Sequence, residues 1–134
     1  MTQKFVFSCV EAKNVIKMDV IGKSDPYIII SLLDQDDQKP FKTEAKDNTS
    51  EPTWNEEGFF TIKEDYSQTV KFEMYDEDIK NDDKIGSYTI KMSDVKQKLT
   101  GINDEWVDLV PDPKLKGKKP GELHLKYCIT DIDL

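Results

Sequence analysis

Five acidic side chains, Asp76, Glu77, Asp78, Asp82 and Asp83, fall within eight consecutive residues. At neutral pH such carboxylates repel one another, so the stretch must be well solvated or must hold a cation. The donors are oxygen only, with no His or Cys nearby, which points to a hard cation, Ca²⁺ before Mg²⁺. Asp76 and Asp78 would point the same way on an extended backbone. A second pair, Asp19 and Asp25, flanks Val-Ile-Gly-Lys-Ser. Two such loops facing each other would supply five carboxylates. With backbone carbonyls and water, that is enough oxygen for two Ca²⁺ at roughly six to eight ligands each. An EF-hand is excluded: counted from Asp76, Lys80 stands at position five, Asn81 replaces the Gly at six and Ser87 replaces the Glu at twelve.

Strand-like runs must position these loops. Residues 4–12, 27–33, 42–46, 57–62, 69–75, 84–91, 105–110 and 121–129 carry β-branched, aromatic or alternating apolar residues between turn signals. In the fifth run Val70, Phe72 and Met74 alternate with Lys71 and Glu73. In the last, Leu123, Leu125, Tyr127 and Ile129 face inward. Ser93 would cap a short helix over 94–99, ending before Gly101. The expectation is an all-β fold: an eight-stranded antiparallel β-sandwich with one short helix between the sixth and seventh strands. If every strand opposes the next, the loops after the odd strands emerge together. These hold Asp19 and Asp25, residues 48–55, residues 76–83 and the lysines at 114–119.

The chain has 134 residues and a net charge of −8, and all 19 of its basic residues are Lys. That length suits one domain, placed at 1–130 with a tail at 131–134. An acidic chain without Arg is a poor partner for nucleic acid. No apolar run is long enough to span a bilayer, and no secretory leader is evident at the N-terminus. Cys9 and Cys128 read as reduced thiols, although two cysteines also allow one disulfide. His124 is the only His, and it alternates with Leu123 and Leu125, so it faces away from the core. No Ser or Cys has an evident base partner, so the chain does not read as an enzyme. Trp54 and Trp106 are both expected to be packing residues.

Residues 14–27, containing Gly-Lys-Ser-Asp-Pro-Tyr, resemble the first calcium loop of C2 domains, the Ca²⁺- and phospholipid-binding modules of protein kinase C and synaptotagmin. Glu-Pro-Thr-Trp-Asn-Glu at 51–56 resembles their second loop and the strand after it. Tyr-Asp-Glu-Asp at 75–78 with Asp-Asp-Lys-Ile-Gly at 82–86 resembles the third loop. The Gly-Glu-Leu-His-Leu run at 121–125 comes last, which resembles the permuted type II topology. The resemblance implies Asp19, Asp25, Asp76, Asp78 and Asp83 as ligands of two or three Ca²⁺. It adds the backbone carbonyls of Met18 and Glu77, and Asp82 as an extra ligand. The family usually places seven residues between the outer aspartates of the third loop, and here six separate Asp76 from Asp83. That difference bears on the geometry of Asp83 and on the ion count.

The implied function is Ca²⁺-dependent binding to anionic phospholipid membranes such as phosphatidylserine. The expected protein is a monomeric cytoplasmic module that moves to the inner face of membranes when calcium rises. Segment 76–84 holds five acids and two lysines, a local charge of −3, which bound Ca²⁺ would reverse. Val20, Ile21 and Ile79 at the loop tips would then dip among the headgroups, with Lys23 and Lys80 meeting phosphates. Lys114, Lys116, Lys118 and Lys119 would add a second contact. Ile29 and Glu44 stand where protein kinase C members commonly carry Lys, so little headgroup selectivity beyond negative charge is expected. The competing reading is a Ca²⁺-independent protein-interaction domain.

Overall fold

The computed structural model describes residues 3–18, 22–33, 37–96 and 101–131. The chain order is β1 (Gln3–Lys13), β2 (Pro26–Leu32), β3 (Phe41–Lys42), β4 (Thr53–Ile62), β5 (Thr69–Asp76) and β6 (Asp83–Lys91), then α1 (Met92–Lys96), β7 (Asn103–Asp108), β8 (Val110–Pro111), a 3₁₀ turn at Pro113–Leu115, and β9 (Glu122–Asp131). One sheet runs β4-β1-β9-β7, the other β3-β2-β5-β6-β8. All pairings are antiparallel. No described helix is long and apolar enough to cross a membrane.

Alternation builds the core. Phe5, Phe7 and Cys9 of β1 face Val70, Phe72 and Met74 of β5, and all six are buried. The rings of Phe7 and Phe72 meet edge-on between the sheets, with centroids 6.0 Å apart at 89°. Each such aromatic burial stabilises the fold by about 1.5–3 kcal/mol. Leu123, Leu125 and Tyr127 of β9 are buried as their alternation requires, and Ile129 packs against the same core. Trp54 is buried on β4, and its indole N–H reaches the carbonyl of Pro26 at 3.3 Å. That bond ties the start of β2 to the opposite sheet. Cys9 and Cys128 are both free thiols.

The elements depart from expectation most at four places, the first being β4, which begins at Thr53 rather than at residue 57. The third strand is the two residues Phe41–Lys42 rather than 42–46. The run expected at 105–110 breaks at Leu109: β7 belongs to the first sheet and β8 to the second, so the chain changes layers there. Leu109 is buried at that crossing, and its N–H donates to the carbonyl of Gly121 at 3.1 Å. The short helix lies between β6 and β7 as expected but begins at Met92, and residues 97–100 lie outside the described ones.

Trp106 corrects an expectation. It is not a core residue but 41% exposed. It pairs across the strands with His124, whose neighbours Leu123 and Leu125 point inward, so Trp106 must share the outer face. There the two rings stack at 4.9 Å, and the Lys13 ammonium sits 4.2 Å from the indole centre. His124 faces outward as its alternation predicts, with Nδ1 2.9 Å from Glu11 and Nε2 2.5 Å from Asp104.

Candidate functional site

The site begins with strand register. Pro26 lies opposite Asp76, so Asp25, one residue earlier, stands beside the end of β5. The Asp25 N–H donates to Asp76 Oδ1 at 2.8 Å, and the Glu77 N–H donates to the Asp25 carbonyl at 3.0 Å. Asp76 is only 1% exposed.

A β-bulge places Asp83. Met74 pairs with Gly86 but Tyr75 pairs with Lys84, so Ile85 is an extra residue on β6. A bulge shifts the alternation by one position. Lys84 therefore points outward with Tyr75, and Asp83 lies directly opposite Asp76 on the inner face. Two carboxylates facing across a strand pair are destabilising without a compensating charge. Lys114 supplies part of it: its Nζ is 3.2 Å from Asp83 Oδ1, the two side chains being 42% and 41% exposed.

The first loop is held from both flanks. Residues 19–21 lie outside the described ones, so the expectations for Asp19, Val20 and Ile21 fall there. On either side, buried Ser24 donates through Oγ to the Ile16 carbonyl at 2.8 Å and accepts from the Met18 N–H at 3.3 Å. Asn48 clasps the loop from the neighbouring turn. Its Oδ1 accepts from the Lys23 N–H at 2.6 Å, and its N–H donates to Asp25 Oδ1 at 2.6 Å. The sequence reading missed Asn48. Its signal was an Asn in the polar turn Asp-Asn-Thr, and Asn is enriched at the positive φ of 48° it adopts.

In the third loop, Asp82 has both oxygens engaged. Oδ2 accepts from the Tyr27 hydroxyl and Oδ1 from the Asp78 N–H at 3.0 Å. The Tyr27 bond, then the Asp78 amide, holds the Asp82 carboxyl below the usual range. Burial first, then the Asp82 bond, pushes the Tyr27 phenol well above its ordinary value. Tyr27 stacks on Tyr75 at 5.5 Å, which fixes this brace to the sheet. Glu77, Asp78, Ile79 and Lys80 project into solvent, and Ile79 is fully exposed at 102%. Lys23, Lys114, Lys116, Lys118 and Lys119 are exposed at the same end.

The outer face of β2, β5 and β6 carries little free positive charge. Ile29 lies between Lys42 and Glu73, and Glu73 is 2.8 Å from Lys84 and 3.7 Å from Lys71. Burial works against the Glu73 carboxylate, but the Lys84 bond and charge outweigh it and keep its pKa low.

Among the described residues, no three His, Cys, Asp or Glu side chains converge as a ready-made metal cage. The donor set still fits a hard cation. Asp25 adjoins Asp76, Asp83 faces Asp76, and every donor is oxygen.

Comparison with known proteins decides the family. The family model for the C2 domain matches residues 3–109. The chain belongs to the C2 domain family. Extended synaptotagmin-2 of Mus musculus is 38% identical over 107 residues, 80% of this chain and 11% of its own length. This C2 domain therefore spans a small part of such relatives. A structure of two C2 domains of Extended-Synaptotagmin 2, with calcium bound, matches with a TM-score of 0.77 at 29% identity. That match covers 94% of this chain and 45% of that one. Human GIVD cytosolic phospholipase A2 superimposes with a TM-score of 0.82 at 24% identity, over 98% of this chain but 17% of the enzyme. That likeness shows the fold alone.

Proposed function

We propose that this C2 domain binds Ca²⁺ at the end where Asp25, Asp76 and Asp83 meet, and that it thereby binds anionic phospholipid membranes. The observation that carries the reading is the cross-strand placement of Asp83 against buried Asp76, with the Asp25 amide on Asp76 Oδ1. The calcium-bound structure of a relative at 29% identity supports it. Asp19, Asp25, Asp76, Asp78 and Asp83 are the carboxylate ligands in this reading, with the carbonyls of Met18 and Glu77 beside them. Asp82 is assigned first to bracing the loop against Tyr27.

Bound calcium would supply positive charge and open coordination positions for phosphate oxygens. The chain's own part is to hold the aspartates on rigid strand ends and to present Ile79 and the lysines to the membrane. Val20, Ile21 and Ile79 enter the headgroup layer, with Lys23 and Lys80 at phosphates. The ion pairing of Lys71 and Lys84 with Glu73 supports weak selectivity beyond negative charge. The domain would act in the cytoplasm and move to the inner membrane face as calcium rises.

Co-sedimentation with phosphatidylserine or phosphatidylcholine vesicles, in calcium and in chelator, tests this. Wild type is expected to sediment only with phosphatidylserine in calcium. Asp76→Asn keeps an oxygen for the Asp25 N–H yet should weaken calcium binding about tenfold or more, since even outer-shell partners of a metal ligand cost that much. Calcium-insensitive sedimentation would overturn the reading and favour a protein-interaction domain.

A further inference from the structure

We propose that the groove between residues 16–18 and the turn at Pro113–Leu115 is a phosphate-anion site, and that Lys114 is held back from it on Asp83 until a cation takes that carboxylate. The inference rests on the calcium reading above. The groove has a volume of about 470 Å³ and is lined by Lys17, Lys114, Lys116 and Lys118, with Asp83 its one acid and Leu115 beneath. Four lysines and one aspartate give it +3, on a chain whose net charge is −8. Lys is a point-charge binder of phosphate, and a concave cluster of one sign concentrates the opposite ion.

The lysines are held on a fixed scaffold. The Asp112 N–H donates to the carbonyl of Ile85, the bulge residue that sets Asp83, at 3.0 Å. Asp112 Oδ2 then caps the turn by accepting from the Lys114 N–H at 3.1 Å. The Leu115 side chain is buried, and the Lys118 N–H returns to the Leu115 carbonyl at 3.1 Å. Asp83 and the lysine turn thus hang from one residue of β6. With the Lys114 ammonium on Asp83, a cation and Lys114 compete for that carboxylate. A cation in place leaves the ammonium to the groove. Ile79 projects at the same end, so the phosphate of a phospholipid headgroup is the expected occupant, with free phosphate as the other source of the same chemistry.

The test uses wild type, Lys114→Met and Lys118→Met. In calorimetric titration with Ca²⁺, Lys114→Met should bind about two- to fivefold more tightly than wild type, the range an exposed ion pair is worth, and Lys118→Met should change less. At saturating calcium both variants should bind equimolar phosphatidylserine–phosphatidylcholine vesicles more weakly. Soluble glycerophosphoserine should shift the amide resonances of residues 114–118 in wild type, and inorganic phosphate producing an equal shift would assign the site to free phosphate. Calcium binding by wild type that is unchanged in Lys114→Met, or vesicle binding unchanged in both variants, would overturn the inference. Absence of calcium binding by wild type would overturn the calcium reading and the competition at Asp83 together. The phosphate titration should give a smaller shift in chelator than in calcium, because Lys114 is then held on Asp83, and no shift in either condition would overturn the anion site itself.

Discussion

His124 shows what one residue can and cannot reveal from its place in the chain. Its alternation with Leu123 and Leu125 put it on the outer face, and it lies there. Its partners were not legible, because Glu11 is 113 positions away and Asp104 is 20. Burial opposes protonation of the ring, but hydrogen bonds to Glu11 and Asp104, and then their charges, outweigh it and raise the pKa. The nearby cations are Lys13 over the stacked Trp106 and Lys126, 4.0 Å from Asp104. A raised folded-state pKa adds stability that is fully present below the unfolded value of about 6.5 and is lost as pH rises through the folded value. Urea unfolding from about pH 5 to about pH 8, the window in which His titrates, should show wild type losing stability on the alkaline side. His124→Gln, which keeps a polar side chain without the titration, should flatten that slope. An equal slope in the variant would place the effect elsewhere.

At the scale of elements, the strands were legible where burial is one-sided, and the site was less so. β5 shows strict alternation because one face packs on Phe7 and the other meets solvent. The bulge at Ile85 was invisible, because an extra residue leaves composition unchanged while it flips which side chains face inward. The spacing of Asp83 from Gly86 matters through that bulge. Trp106 was misread for a related reason: a Trp suggests burial by type, whereas cross-strand pairing with His124 decides its face. Gly86 ties the bulge to β8. A Cβ there would come within 2.7 Å of the Val110 carbonyl oxygen and 3.2 Å of the Pro120 ring. The first of these is backbone and cannot rotate away. Gly86→Ala should therefore push β8 off β6 and cost about 1–3 kcal/mol, as overpacking does. Chemical denaturation reads this as a lower midpoint with an unchanged slope. A wild-type midpoint would show that β8 yields without cost.

For the whole molecule, the proposed function asks how a chain of net charge −8 would approach an anionic membrane. The sandwich answers by polarity of its ends. Asp25, Asp76, Asp83, Ile79 and the Lys114–Asp83 pair all sit where β2, β5 and β6 meet their loops, so one end carries both the repulsive carboxylates and the groups able to offset them. Two terms of different range should then hold it to the membrane. Near the surface each positive charge is worth about 1 kcal/mol, screened beyond roughly 8 Å at physiological salt. Burying an Ile side chain contributes about 1.5–3 kcal/mol and is not screened. Ile79 touches solvent on all sides, so exchanging it should not disturb the fold. Ile79→Ser should keep the wild-type unfolding midpoint and lower affinity for calcium-loaded phosphatidylserine vesicles by about tenfold, the equivalent of about 1.4 kcal/mol. The two terms separate by salt. Raising ionic strength should weaken wild type and variant by the same factor, because the charges are shared, and the ratio between them should hold. A ratio that shrinks toward one as salt rises would mean that Ile79 acts only by placing Lys80, and that the docking is electrostatic throughout.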